Sequence, residues 1–230
     1  MVDAAADSQL ATNTTTQPTT PVTPATTQPN KHWNTPAFQA WIKATQALPA
    51  EQRIEAVSKK LMELNPGFDG KVRGWAGHDT PRIENGVVTG LGISTQNVTD
   101  ISPVRTLSAL TGLRFDSGIL TDLSPQAGMP LYRLDASLIP LADLAPLAGM
   151  QLRDLGLGGS KVSDLAPLRG MPRTSLNCSG TLVSDLAPLY GCTQLKNLNL
   201  HAAKQVTPAQ VAALQKALPN CKIGWDEEGK

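Results

Sequence analysis

Ser163-Asp164-Leu165-Ala166-Pro167-Leu168 is followed, 21 residues on, by Ser184-Asp185-Leu186-Ala187-Pro188-Leu189. The same phrase can be traced backwards along the chain. Aspartates stand at Asp100, Asp122, Asp143, Asp164 and Asp185, spaced 22, 21, 21 and 21 residues apart. Each has a proline three residues later: Pro103, Pro125, Pro146, Pro167 and Pro188. Self-similarity at such a period means stacked units, none of which can bury a core alone.

A second pattern runs in phase with the first. Apolar anchors fall at Leu113, Leu134, Leu155, Leu176 and Leu198, each in an apolar-x-x-apolar-x-apolar frame such as Leu152/Leu155/Leu157 or Leu195/Leu198/Leu200. Leu91 supplies a first turn and Cys221 a last one. The alternation at the end of each frame is that of a strand with one buried face. Strands from successive turns must then lie parallel, about 4.8 Å apart. This predicts an α/β fold: a leucine-rich-repeat solenoid with a curved parallel sheet of seven strands.

The return path of each turn opens on Asp and Ser, which hydrogen-bond the backbone just ahead. The proline that follows denies a longer helix one of its bonds, so a single 3₁₀ turn is expected on the convex side. Met129, Met150, Met171 and Cys192 recur at 21-residue spacing and read as core fillers. Two residues break the pattern. Gln126 stands where other turns have Val104 or Leu147, and Arg173 stands where they have Leu131 or Leu152. An unpaired buried guanidinium is costly, so Arg173 is expected to bend to the sheet edge and keep its head in water.

Four segments follow. Residues 1–34 form a tail in which 12–30 hold nine Thr and four Pro, a disordered composition. Residues 35–85 form a front cap, 86–225 the solenoid and 226–230 a closing tail. In the cap, Thr35-Pro36 starts a helix with Phe38, Trp41, Ile42, Thr45 and Leu48 on its apolar face, and Pro49 opens a second with Ile54, Val57, Leu61 and Leu64. A hairpin follows, with a strand near Lys71 to Trp75 and a type I′ signal at Asn85-Gly86. Thr207-Pro208 begins a helix that closes the far end with Val211, Leu214 and Leu218.

Net charge is +1, with no Lys/Arg cluster, which argues against nucleic acid. No apolar run is of membrane-spanning length and no export signal is recognisable, so a soluble, cytoplasmic protein is the default expectation. Cys178, Cys192 and Cys221 fall at core positions and read as reduced thiols. Gly156 to Lys161 has neither dinucleotide nor Walker spacing. Asn65 to Gly70 lacks calcium-loop ligands. His32, His78 and His201 have no metal-ligand spacing. His78-Asp79 lacks a nucleophile. No cofactor, metal or catalysis is therefore expected.

At this point the residues resemble a known bacterial leucine-rich-repeat family. They are Pro49-Ala50-Glu51, Glu63-Leu64-Asn65-Pro66-Gly67-Phe68-Asp69-Gly70, Asn97-Val98-Thr99-Asp100-Ile101-Ser102-Pro103 and the Asp-Leu-Ala-Pro-Leu repeats. In that family the same block often follows a Ser/Thr protein kinase domain, and the repeats also look like those of internalin-type surface proteins. The resemblance implies a non-catalytic interaction module or, alternatively, a ligand-sensing segment of a kinase system. The kinase signatures themselves are absent from this sequence.

The strand residues flanking the anchors are the candidate partner-binding set. Arg114, Asp116, Arg133, Asp135 and Asp154 carry the charges of the early strands, with Arg114 and Arg133 expected side by side. Ser175, Asn177, Asn197, Asn199 and His201 continue the face. The expected partner is a protein or other polar ligand. The competing reading is an ordinary solvated sheet face.

Overall fold

The computed structural model describes residues 31–75 and 78–226. Of the expected N-terminal tail, 1–30 lie outside the described residues, as do 227–230 of the closing tail.

The first described element lies slightly ahead of the expected cap. His32–Asn34 form a 3₁₀ turn. The His32 ring meets Phe38 edge-on at 5.2 Å, and its Nε2 lies 3.2 Å from the Asp100 carboxylate. Helix α1 (Pro36–Gln46) then starts as the sequence indicates, with the Thr35 hydroxyl accepting from the Phe38 N–H. Helix α2 spans Ala50–Leu64, and its buried face includes Val57 and Leu61.

Strands β1 (Val72–Arg73) and β2 (Arg82–Glu84) both pair antiparallel with β3 (Val87–Ile93). The hairpin is formed by β2 and β3, across Asn85 at φ 50° and Gly86 at φ 74°, as a type I′ turn requires. The Lys71 to Trp75 segment instead adds β1 beside the far end of β3, where Val72 faces Ile93.

From β3 onward the sheet is parallel and in sequence order. The strands are β4 (Gly112–Phe115), β5 (Arg133–Asp135), β6 (Asp154–Gly156), β7 (Ser175–Asn177), β8 (Asn197–Asn199) and β9 (Lys222–Gly224). Leu91, Leu113, Leu134, Leu155, Leu176, Leu198 and Ile223 stand opposite one another along it. The last turn therefore centres on Ile223; Cys221, expected there, is a buried residue just before the strand. Helix α3 (Pro208–Ala217), started by a Thr207/Gln210 capping box, alters the spacing that placed Cys221 in phase.

Each recurring aspartate has one physical task. The Oδ1 atoms of Asp100, Asp122, Asp143, Asp164 and Asp185 accept the N–H of the residue two ahead at 2.7–2.9 Å. A 3₁₀ turn follows every one, for example Ala166–Leu168 and Ala187–Leu189. The next residue after the bonded N–H is proline, which has no donor to satisfy. Asp and Pro together thus account for the turn's leading backbone groups.

The Met129, Met150, Met171 and Cys192 ladder is buried with the leucines. Arg173 corrects an expectation. It does not reach water but is fully buried at 0% exposure. Its Nη2 lies 2.8 Å from Met171 Sδ, while Nε and Nη1 find no hydrogen-bond partner. Burial pulls its pKa down to about 10. Arg173 fills the core position that Leu131 and Leu152 occupy in sister turns. Gln126 is likewise buried, donating to the Ile101 carbonyl at 3.2 Å and leaving Oε1 unpaired.

Candidate functional site

Because Leu113, Leu134, Leu155, Leu176 and Leu198 point inward, the residues on either side of each point outward. The register sorts them into two rows on the outer face, the concave side of such a solenoid. In the first, Gly112 faces Arg133, Arg133 faces Asp154, Asp154 faces Ser175 and Ser175 faces Asn197. In the second, Arg114 faces Asp135, Asp135 faces Gly156, Gly156 faces Asn177 and Asn177 faces Asn199. Asp116 and His201 lie two residues beyond the second row. All ten candidate residues are exposed or half-buried.

One expected adjacency is corrected. Arg114 and Arg133 belong to different rows and do not face each other. Each pairs with acids instead. Arg133 Nε lies 3.0 Å from Asp154 Oδ2, and Arg114 Nε lies 3.4 Å from Asp116 and 3.9 Å from Asp135. Exposed pairs of this kind are worth about 0–1 kcal/mol, so a partner can exchange them at low cost.

Several of the polar residues also serve the backbone. Asp135, Asn177 and Asn199 each accept, through Oδ1, the N–H two residues ahead at 3.0–3.1 Å. They close the strand on one side as the repeat aspartates open the turn on the other. Gly156 leaves room for this: a Cβ there would come within 2.5 Å of Asp135 Oδ1. The glycines of the Gly156 to Lys161 stretch are thus accounted for by neighbouring side chains.

The sequence reading missed two parts of the face. The first is Asp226, assigned to the tail. Its carboxylate bridges His201 Nδ1 at 2.5 Å and the Ala202 N–H at 2.6 Å, and the hydrogen bond from His201 holds its pKa below the ordinary carboxylate value. The second is Trp75, whose indole lies on Gly112 of β4 and whose Cβ lies over Gly90 of β3; a Cβ on Gly112 would stand 3.3 Å from its Cε3. The available signal was Gly90 and Gly112, two bare outward positions in the row where the later strands carry Arg133, Asp154, Ser175 and Asn197. Beside Trp75 lie two depressions of about 280 and 210 Å³. Tyr132, under the Arg153 guanidinium at 5.1 Å, borders the larger.

Among the described residues no three His, Cys, Asp or Glu side chains converge as a metal site would need. Within the same residues no helix is long and apolar enough to cross a membrane.

No family model matches the chain, and no curated protein does. Among solved structures, internalin C2 from Listeria monocytogenes is similar at 23% identity and a TM-score of 0.51, over 60% of this chain and 64% of that one. A second internalin from that organism gives 23% identity and a TM-score of 0.48, over 59% and 43% of the two chains. A leucine-rich-repeat protein of Leptospira interrogans gives 22% and 0.49, over 56% and 34%. The chain thus matches somewhat under two thirds of the internalin C2 structure. Of these three, internalin C2 is the one whose superposition bears on this chain, and it shows the leucine-rich-repeat fold alone.

Proposed function

We propose that the chain is a non-catalytic interaction module that binds a partner protein on the outer face of its parallel sheet. One observation carries the reading: the register aligns accessible polar side chains in two rows over strands β4 to β8, interrupted at Gly112 and Gly156, with Arg and Asp at the N-terminal end and Ser and Asn at the other. A surface that repeats its spacing by construction can match an extended partner at many points. Charges at one end orient that partner, while the neutral amides accept either donors or acceptors. Arg133 and Asp154 are the central pair, since both head groups are accessible and on the same row.

The kinase-linked alternative rests on the sequence resemblance, and no geometry among the described residues favours it. The test is capture of binding proteins by the folded domain. Replacing Arg114, Arg133 and Asp154 together by Ala should abolish specific capture at an unchanged melting temperature. Retention of every captured protein, with loss on altering the exposed faces of α1 and α2 instead, would overturn the assignment.

A further inference from the structure

A cap loop lays the Trp75 side chain across the open sheet. The loop folds back because the Gly74 N–H donates to the His78 carbonyl at 2.8 Å. The indole then seats on Gly112, so close that a Cβ there would touch its Cε3 at 3.3 Å, while the Trp75 Cβ lies over Gly90 at the same distance from where a Cβ would stand. Even so, Trp75 is only half-buried. A large ring on bare backbone with its remaining surface open is a poor core residue and a good contact for another ring.

The ridge it forms separates two unlike depressions. Arg82, Thr89 and Arg133 line the larger, of about 280 Å³. Asp135, Asp154 and Ser175 line the smaller, of about 210 Å³. Both are below the roughly 300–1,000 Å³ of small-molecule sites, and their size suits single side chains of a larger partner. Arg82 pairs with Glu84 at 2.7 Å and Arg133 with Asp154 at 3.0 Å, while Asp135 accepts the Ser137 N–H through Oδ1 and has its Oδ2 3.9 Å from Arg114. Such pairs are weak and exchangeable. Phosphate-rich ligands would meet Asp135 and Asp154 beside the arginines and be repelled there.

We propose that this site binds an extended peptide segment of the partner protein carrying, in order, an acidic side chain, a proline or aromatic ring, and a basic side chain. The acid enters the arginine depression, the ring stacks on Trp75, and the base reaches Asp135 and Asp154. The proposal rests on the outer-face reading above and adds the chemistry of what is recognised there.

The test uses the whole chain and a random dodecapeptide phage library as probe. Enriched peptides should carry an acid, a ring and a base in that order, in either chain direction. A synthetic peptide of the enriched sequence should bind about tenfold more weakly to Trp75→Ala, while Trp75→Phe keeps most of the affinity. Arg133→Glu should favour the charge-swapped peptide over the original. Peptides without the pattern, or no enrichment at all, would overturn the proposal. So would peptides insensitive to Trp75→Ala but weakened by Asn197→Arg, an outcome that leaves the outer-face reading standing. Insensitivity to both changes would overturn that reading as well.

Discussion

Asn65 grips the backbone of Asp100 by both edges of its amide. Its Oδ1 accepts the Asp100 N–H at 2.9 Å and its Nδ2 donates to the Asp100 carbonyl at 2.8 Å. The same two atoms also serve the Thr99 N–H and the Leu61 carbonyl. One buried side chain therefore ties the end of α2 to the first repeat aspartate, 35 residues away. It fixes the cap on the open end of the stack, which a solenoid needs.

Asn65→Ala should consequently cost about 2–4 kcal/mol, because the Thr99 N–H and both Asp100 backbone groups lose their side-chain partner at once. Urea denaturation of the two proteins measures it. Asn65→Asp should not rescue, since it keeps the acceptor but replaces the amide donor with a carboxylate facing two carbonyls. A loss under 0.5 kcal/mol for the Ala variant would show that the cap is held by its apolar face alone.

The repeat aspartates make a smaller and separable contribution. Asp164→Ala removes the 2.7 Å bond to the Ala166 N–H, and about 0.5–1.5 kcal/mol should go with it. Asp164→Asn keeps an oxygen in place and should lose less than half as much. Equal losses for the two would mean that charge, and not the turn bond, is what position 164 provides.

Most of this architecture could be read from the chain. The Leu ladder, the single 3₁₀ turns, the Thr35 and Thr207 helix starts and the Asn85-Gly86 hairpin depend on residues within one repeat of each other. Their signals are periodicity and turn chemistry. What escaped depends on register or loop path between distant segments. Arg114 and Arg133 sit in neighbouring repeats, yet their positions within the strand differ, and that offset puts Asp154 opposite Arg133. Trp75 reaches the face through a loop whose course no local pattern encodes. The energetics of Arg173 favour water, yet the structure seats it in the core position that Leu131 and Leu152 fill in sister turns.

That burial leads to a prediction of opposite sign. Arg173 spends two unsatisfied guanidinium nitrogens in a place where sister turns pack Leu131 and Leu152. Arg173→Leu should stabilise the protein by about 1–4 kcal/mol, the usual range for replacing a buried charge by a fitted apolar residue. A thermal melt checks it. A lowered melting temperature would show that the guanidinium's contact with Met171 Sδ matters more than its desolvation.

Alkaline stability offers an independent check of the same core. Burial raises the Cys178 thiol to about 12 from an ordinary 9.0. Between these values the unfolded chain has released the proton while the folded chain keeps it, so stability falls as pH rises. Arg173, lowered from 12.5 to about 10, acts in the other direction in the upper part of the window, since there the unfolded chain holds more protons. From pH 9 to 10 the cysteine outweighs the arginine, leaving a net fall of roughly 0.6 kcal/mol per pH unit. Cys178→Ala should flatten the fall in melting temperature over that interval relative to the parent protein. An unchanged slope would mean that the thiol ionises freely in the folded state.

The claim that the sheet face, and not the return side, meets the partner can be tested without knowing the partner. A photo-crosslinking amino acid placed at exposed Asn197 on β8 and, separately, at exposed Arg169 after the Ala166–Leu168 turn samples the two sides of the same solenoid. Irradiation in cells should give a discrete adduct from position 197, lost when Arg114, Arg133 and Asp154 are changed to Ala, and none from position 169. A discrete adduct from position 169 alone, unaffected by the triple change, would contradict the account.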